Sequence, residues 1–166
     1  MANKASFTTE EWNQLLESVM MAGMAVTASA PSGLFGLIKE SLATGGALAE
    51  AKADAGSNEL IKAVVADYET SEGRTAARDS LTAELRGSKT TDIKAKALAS
   101  LRETAALLEA KAPEDAAAFK AWLQRIGQRV AEASKEGGFL GFGGVQVSEA
   151  EKATLGEIVA ALNRTA

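Results

Sequence analysis

Apolar residues along this chain recur three and four positions apart, in blocks separated by short polar or small-residue breaks. That spacing places each block on one face of an α-helix. Trp12, Leu15, Leu16, Val19, Gly23 and Val26 form the first such face, and Met20, Met21 and Met24 widen it until the helix is largely enclosed. Leu34, Leu37, Ile38, Leu42 and Leu48 mark a second. Leu60, Ile61, Val64, Val65 and Tyr68 mark a third, and Ala76, Ala77, Leu81 and Leu85 a fourth. Ile93, Ala97, Leu98, Leu101, Ala105 and Leu108 make a long fifth face. Phe119, Trp122, Leu123, Ile126 and Val130 make the sixth, and Leu155, Ile158, Val159 and Leu162 the last. No stretch shows clear period-two alternation. The expectation is an all-α, single-domain bundle of about seven helices, over 9–28, 33–52, 58–69, 73–86, 92–111, 113–134 and 149–163, with the first and sixth central.

The breaks carry start and stop signals. Thr8-Thr9-Glu10-Glu11 reads as a capping box, with Phe7 and Trp12 as its hydrophobic staple. Ser148-Glu149-Ala150-Glu151 reads as a second box. Pro31 suits a first turn with Ser29 or Ser32 as cap, and Pro113 starts a helix with Glu114 and Asp115 in its first turn. Asn58 and Thr91 are further cap candidates, and Gly87 ends the fourth helix. Gly45-Gly46 falls inside the second pattern at a cost of about 2 kcal/mol relative to alanines. Either the helix ends near Thr44, or the glycines let another helix approach closely; a continuous helix to about Lys52 is favoured. Lys120, Arg125 and Arg129 fall off the apolar face of the sixth helix and read as a solvated face.

Composition removes chemistries more than it adds them. Of 166 residues, 46% are hydrophobic, much of this alanine, and the net charge is −4. That balance gives no basic face for nucleic acid. There is no Cys, which removes disulfides, thiolate metal sites and cysteine nucleophiles. There is no His, which removes Ser–His triads and the usual general base near neutral pH. Catalysis would have to rest on carboxylates, lysines, hydroxyls or the lone Tyr68. Neighbouring pairs such as Glu10 with Glu11, or Lys94 and Lys96, point in different directions on a helix and form no dyad. The uncharged run from Ser18 to Ile38 is long enough to span a bilayer, but Ser29, Pro31, Ser32 and three glycines interrupt it. Acidic rather than basic residues precede it, against a signal peptide. The expectation is a cytoplasmic protein.

One segment escapes helical logic: the glycine-rich loop over 137–146, with Gly138, Phe139, Leu140, Gly141, Phe142, Gly143 and Gly144 at its heart. Glycine loops cradle phosphates ahead of a helix, but no Lys-Ser/Thr follows these glycines, and Gln146 stands where a dinucleotide fingerprint needs glycine. No cofactor is expected. The aromatic residues suggest insertion into a bilayer interface or a partner groove, or else an inward plug of the core. Large apolar side chains on an exposed loop need a purpose, so the inward plug is favoured.

Helix, small-residue turn, glycine and aromatic, helix occurs twice, through Gly33-Leu34-Phe35-Gly36 and through Gly138 to Gly144. The second hairpin, with Ala131-Glu132-Ala133-Ser134 and Val147-Ser148-Glu149-Ala150-Glu151, resembles the TerB-like family of tellurite-resistance and stress-associated bacterial proteins. The last helix is also similar. The resemblance covers about the last forty residues well and the first fifty poorly. It implies a helical fold of two related hairpins and a stress-associated role. The family's Asp-Gly turn, associated with divalent cation, is Ser134-Lys135 here and Ser29-Ala30 in the first hairpin. Glu132, Glu136, Glu149 and Glu151 remain as weak metal candidates, but Glu149 and Glu151 are explained by the helix N-terminus. The fold is carried over and the metal is not.

The functional expectation is therefore a non-enzymatic helical module that binds a protein partner or a stress-related small ligand. Peripheral association with a membrane surface through Phe139, Leu140 and Phe142 is the first alternative, and a divalent-cation-binding stress protein the second.

Overall fold

The computed structural model describes residues 1–29, 45, 48, 58–133 and 147–163. Among these residues there are six α-helices and no strand. They are α1 (Thr9–Thr27), α2 (Glu59–Tyr68), α3 (Ser71–Leu85), α4 (Ile93–Lys111), α5 (Pro113–Ala133) and α6 (Glu149–Asn163). Short 3₁₀ turns cover Lys4–Ser6 and Thr90–Asp92. The all-α class is as expected. Of the expected second helix, Gly45 and Leu48 are described, and both are helical. A Cβ added at Gly45 would meet nothing within 4 Å among the described residues, so no described helix presses on that glycine.

The caps form as their side chains dictate. The Thr8 hydroxyl accepts the Glu11 amide at 3.2 Å, and the Glu11 carboxylate accepts the Thr8 amide at 2.8 Å. Phe7 and Trp12 pack with ring centroids 5.9 Å apart, completing the staple. Ser148 and Glu151 repeat the reciprocal box at 2.8 and 3.2 Å. The Asn58 side-chain amide oxygen accepts the backbone amides of Leu60 and Ile61.

Two boundaries differ from the sequence reading. α3 begins at Ser71, not 73, because the Thr70 hydroxyl accepts the Gly73 amide and caps it. Gly73 then packs so tightly that a Cβ would lie 2.1 Å from the Asp67 carbonyl oxygen. At α4, Thr91 is not the cap. The residue before the helix is Asp92, in helical geometry and without a side-chain capping bond, while the Thr91 hydroxyl donates to the Asp92 carboxylate. Gly87 ends the α3 region with φ of +72°, a left-handed conformation that glycine adopts without strain.

α1 occupies the centre and packs against each of the other five helices. The sequence reading paired it with α5, but α4 lies against α1 even more extensively and also meets α5 and α6. Its contact strip of Ala97, Ser100, Leu101, Thr104, Ala105 and Leu108 alternates small and large residues, which lets two helices approach closely. Leu15, Leu16, Val19, Met21, Phe119, Leu123, Ile126, Ile158 and Leu162 fill the middle. Lys120 departs from the expected solvated face. Its side chain is 12% exposed, and its ammonium lies 2.5 Å from the Glu109 carboxylate. Arg125 and Arg129 are exposed, as expected.

Candidate functional site

Because the middle of α1 is enclosed on nearly every side, its polar residues Glu17 and Ser18 are buried with it. Glu17 is 5% exposed and sits where α1, α3 and α4 meet. The Ser80 hydroxyl of α3 donates to one carboxyl oxygen, and the Ser100 hydroxyl of α4 donates to the other at 3.1 Å. Among the described residues no lysine or arginine pairs with it. Burial raises this carboxyl above the ordinary carboxylate range. The two serine donors oppose the rise, and the like charges of Glu84 and Glu103 add to it. Next along α1, the Leu16 carbonyl accepts the Tyr68 hydroxyl at 2.5 Å. Burial, with the Glu17 charge behind it, pushes the phenol well above its ordinary range. Tyr68 is thus a committed donor and not a poised base.

Outside this centre runs an open groove between α1 and α3. Glu10, Asn13, Glu72, Thr75, Asp79 and Ser80 are among its lining residues. Ser80 therefore faces the groove and also reaches the buried carboxyl. The three groove carboxylates do not converge. Among the described residues, no three acidic side chains come close enough to hold a metal ion.

Two other carboxylates tie segments together. Asp115, 2% exposed in the first turn of α5, accepts the Ala2 amide at 2.7 Å and the Asn58 side-chain amide at 2.5 Å. Asn58 caps α2 with its oxygen, so one residue joins that cap to α5. Asp67 accepts the Trp12 indole N–H at 2.6 Å and the Lys4 ammonium at 2.8 Å. Burial pushes Asp67 upward, but these two donors outweigh it and hold the carboxyl below its ordinary value. Lys4 also lies 5.8 Å from the centroid of the Trp12 ring, within cation–π range.

The residues singled out from sequence do not gather. Glu132 is exposed near the end of α5 and accepts the Gln128 amide at 2.8 Å. Glu149 is exposed and pairs with Lys152 at 2.7 Å, while Glu151 is buried by its capping role. Glu136 and the segment Gly138, Phe139, Leu140, Gly141, Phe142, Gly143 and Gly144 lie outside the described residues, as does most of the repeated hairpin motif. Lys94 pairs with Glu157 across α4 and α6, and Lys96 donates to the Glu84 carbonyl. Glu11 belongs to its cap and Glu10 to the groove wall.

Sequence reasoning passed over Glu17, Ser80, Ser100 and Asp115. The signal for Glu17 was present: a charged residue inside a helix read as apolar nearly all round must be buried. Ser100 and Thr104 likewise sit one turn apart within the apolar face of α4. Among the described residues no helix is long and apolar enough to cross a membrane. No family model, no curated protein and no solved structure matches the chain.

Proposed function

We propose that this chain is a non-enzymatic bacterial cytoplasmic module that binds a protein partner or a stress-related small ligand, with its contact surface on the α5–α6 side. The reading turns the glycine-rich segment between Ala133 and Glu149 outward, where the sequence alone favours an inward plug, and what supports it is the surface of the two helices on either side. The sequence there places Phe139, Leu140 and Phe142 among five glycines, outside any helical pattern. On the helix pair that it joins, Val159 is 44% exposed, and a groove runs past Ala121, Gln124, Gln128 and Leu155. An apolar strip on a partner protein fits such a face. The binding reading also agrees with the buried carboxyls. Glu17, Asp115 and Glu151 each serve a separate helix junction or cap and share no cleft. Kinship with TerB-like proteins belongs to this proposal and rests on the motif of the last hairpin.

The test is the double substitution Phe139→Ser plus Phe142→Ser. The expected result is loss of partner capture from cell extract, an unchanged melting temperature and no sedimentation of either form with liposomes. Sedimentation of the unmodified protein with liposomes, lost in the variant, makes the segment a membrane contact instead. A fall of several degrees in melting makes it a core plug and overturns the proposal.

A further inference from the structure

α3 is attached to the bundle differently from its neighbours. Its buried residues are Gly73, Ala77 and Leu81, with Ala76 and Leu85 partly buried at their side, so it offers one fully buried large apolar side chain. Between Ala77 and Leu81 lies Ser80, whose hydroxyl bonds Glu17 beneath the helix. The charged and titratable groups acting around that carboxyl are Glu84 from α3, Glu103 from α4 and the Tyr68 hydroxyl from α2. Among the described residues all of these are acids, and none comes from α5 or α6. A carboxylate there has two hydroxyl donors for about four acceptor positions. A carboxylic acid is also accommodated, because a serine oxygen can accept its proton, although the serine donors favour the charged form. With burial outweighing those donors, the pocket suits the neutral form, while water in the adjoining α1–α3 groove suits the charged one.

We propose that Glu17 is a proton-operated latch on α3: protonated, it lets α3 close onto α1 and α4, and on losing its proton to solvent it lifts α3 locally and opens the groove of Asn13, Thr75 and Asp79 to the interior. The direction follows from linkage. Closure favours the protonated carboxyl, so its stabilising contribution is complete below the ordinary carboxylate value and is lost as pH rises through the raised one. This is opposite to a salt-bridged acid.

Amide hydrogen exchange between about pH 5 and 8, corrected for intrinsic rates, tests this directly. Between the ordinary carboxylate value and the carboxyl's raised midpoint the opening equilibrium of α3 rises by up to about tenfold per pH unit and then levels off, while that of α5 stays level. In Glu17→Gln the α3 profile is flat. A carbon-13 titration of the Glu17 carboxyl in the unmodified protein shows a midpoint above the ordinary carboxylate range. Ser80→Ala removes a donor that favours the charged form, so that midpoint moves higher still and the rise of α3 opening extends to higher pH with it. The latch is overturned by a Glu17 midpoint in the ordinary range, by parallel pH profiles for α3 and α5, by a slope that survives in Glu17→Gln, or by a midpoint indifferent to Ser80→Ala.

Discussion

α1 is covered on two sides by helices of opposite character. α5 lays Phe119, Trp122, Leu123, Ile126 and Val130 into the interior, all at most 5% exposed. Phe119 and Trp122 meet edge to face at 5.3 Å. At Gly127 the helices come so close that a Cβ would stand 3.3 Å from the Ile158 side chain and 3.6 Å from the Ala22 carbonyl oxygen. On the other side, α3 rests on small residues, buried Leu81, half-buried Leu85 and a serine bonded to a buried acid. Apolar attachment scales with area removed from water and is indifferent to pH. Attachment through a carboxyl follows its protonation. One central helix thus has a permanent face and a conditional one.

The sharpest test of that contrast compares truncations. Phe119→Ala, at a fully buried position, costs about 3–5 kcal/mol, and the loss is the same at pH 5 and pH 8. Leu81→Ala, the corresponding truncation in α3, costs about 2 kcal/mol. Urea midpoints measure both. A larger loss at Leu81 reverses the assignment of permanent and conditional faces.

Asp115 asks whether every buried acid behaves alike. Its partners are the Asn58 and Ala2 N–H groups, which donate and cannot accept. Glu17 has hydroxyls, which do both. Asp115→Ala leaves two donors without their acceptor and costs about 1–3 kcal/mol. A loss below about 0.5 kcal/mol makes the tie between the α2 cap and α5 dispensable.

How far the sequence reveals this arrangement depends on the kind of signal. Apolar spacing and capping boxes act over three or four residues, so α1, α5 and α6 were legible almost to the residue. Thr91 failed as a cap because a short 3₁₀ turn places Asp92 ahead of α4, and no propensity distinguishes two adjacent polar residues in such a turn. The Glu17 centre joins residues far apart in the chain. Glu17, Ser80 and Ser100 are each ordinary in their own helices, and only the crossing of α1, α3 and α4 makes them one group. Spacing could flag Glu17 as buried but could not name its partners.

Acid adds a second handle on the contrast. Asp67 has a lowered carboxyl because its donors outweigh burial, and Glu11 is lowered by the Thr8 amide and then by Lys111. Their contributions are present above the ordinary carboxylate value and are lost as pH falls through the lowered ones. Stability therefore declines below the ordinary carboxylate value by one set of acids and, as pH rises from that value through the raised one, by Glu17. Asp67→Asn removes about 1 kcal/mol at neutral pH, less than a fully buried tie because Lys4 is solvated, and it flattens the acid limb only. Urea midpoints from about pH 3 to 8 record both limbs. A variant that flattens the other limb places the pH response in the wrong acid.

The smallest effect concerns how α6 is held. Lys94 of α4 meets Glu157 of α6 at 2.7 Å, with side chains 32% and 46% exposed. An ion pair so open to water is worth about 0.5 kcal/mol or less, and salt screens it. Ile158, Ala161 and Leu162 of the same helix are each 1% exposed, and area burial at these positions outweighs the pair several times over. Lys94→Met therefore shifts the urea midpoint barely at all, and raising the salt to about 0.5 M changes neither protein appreciably. A loss above about 1 kcal/mol that disappears in salt places α6 with α3 as a conditionally held helix, and α5 then remains the one purely apolar flank of α1.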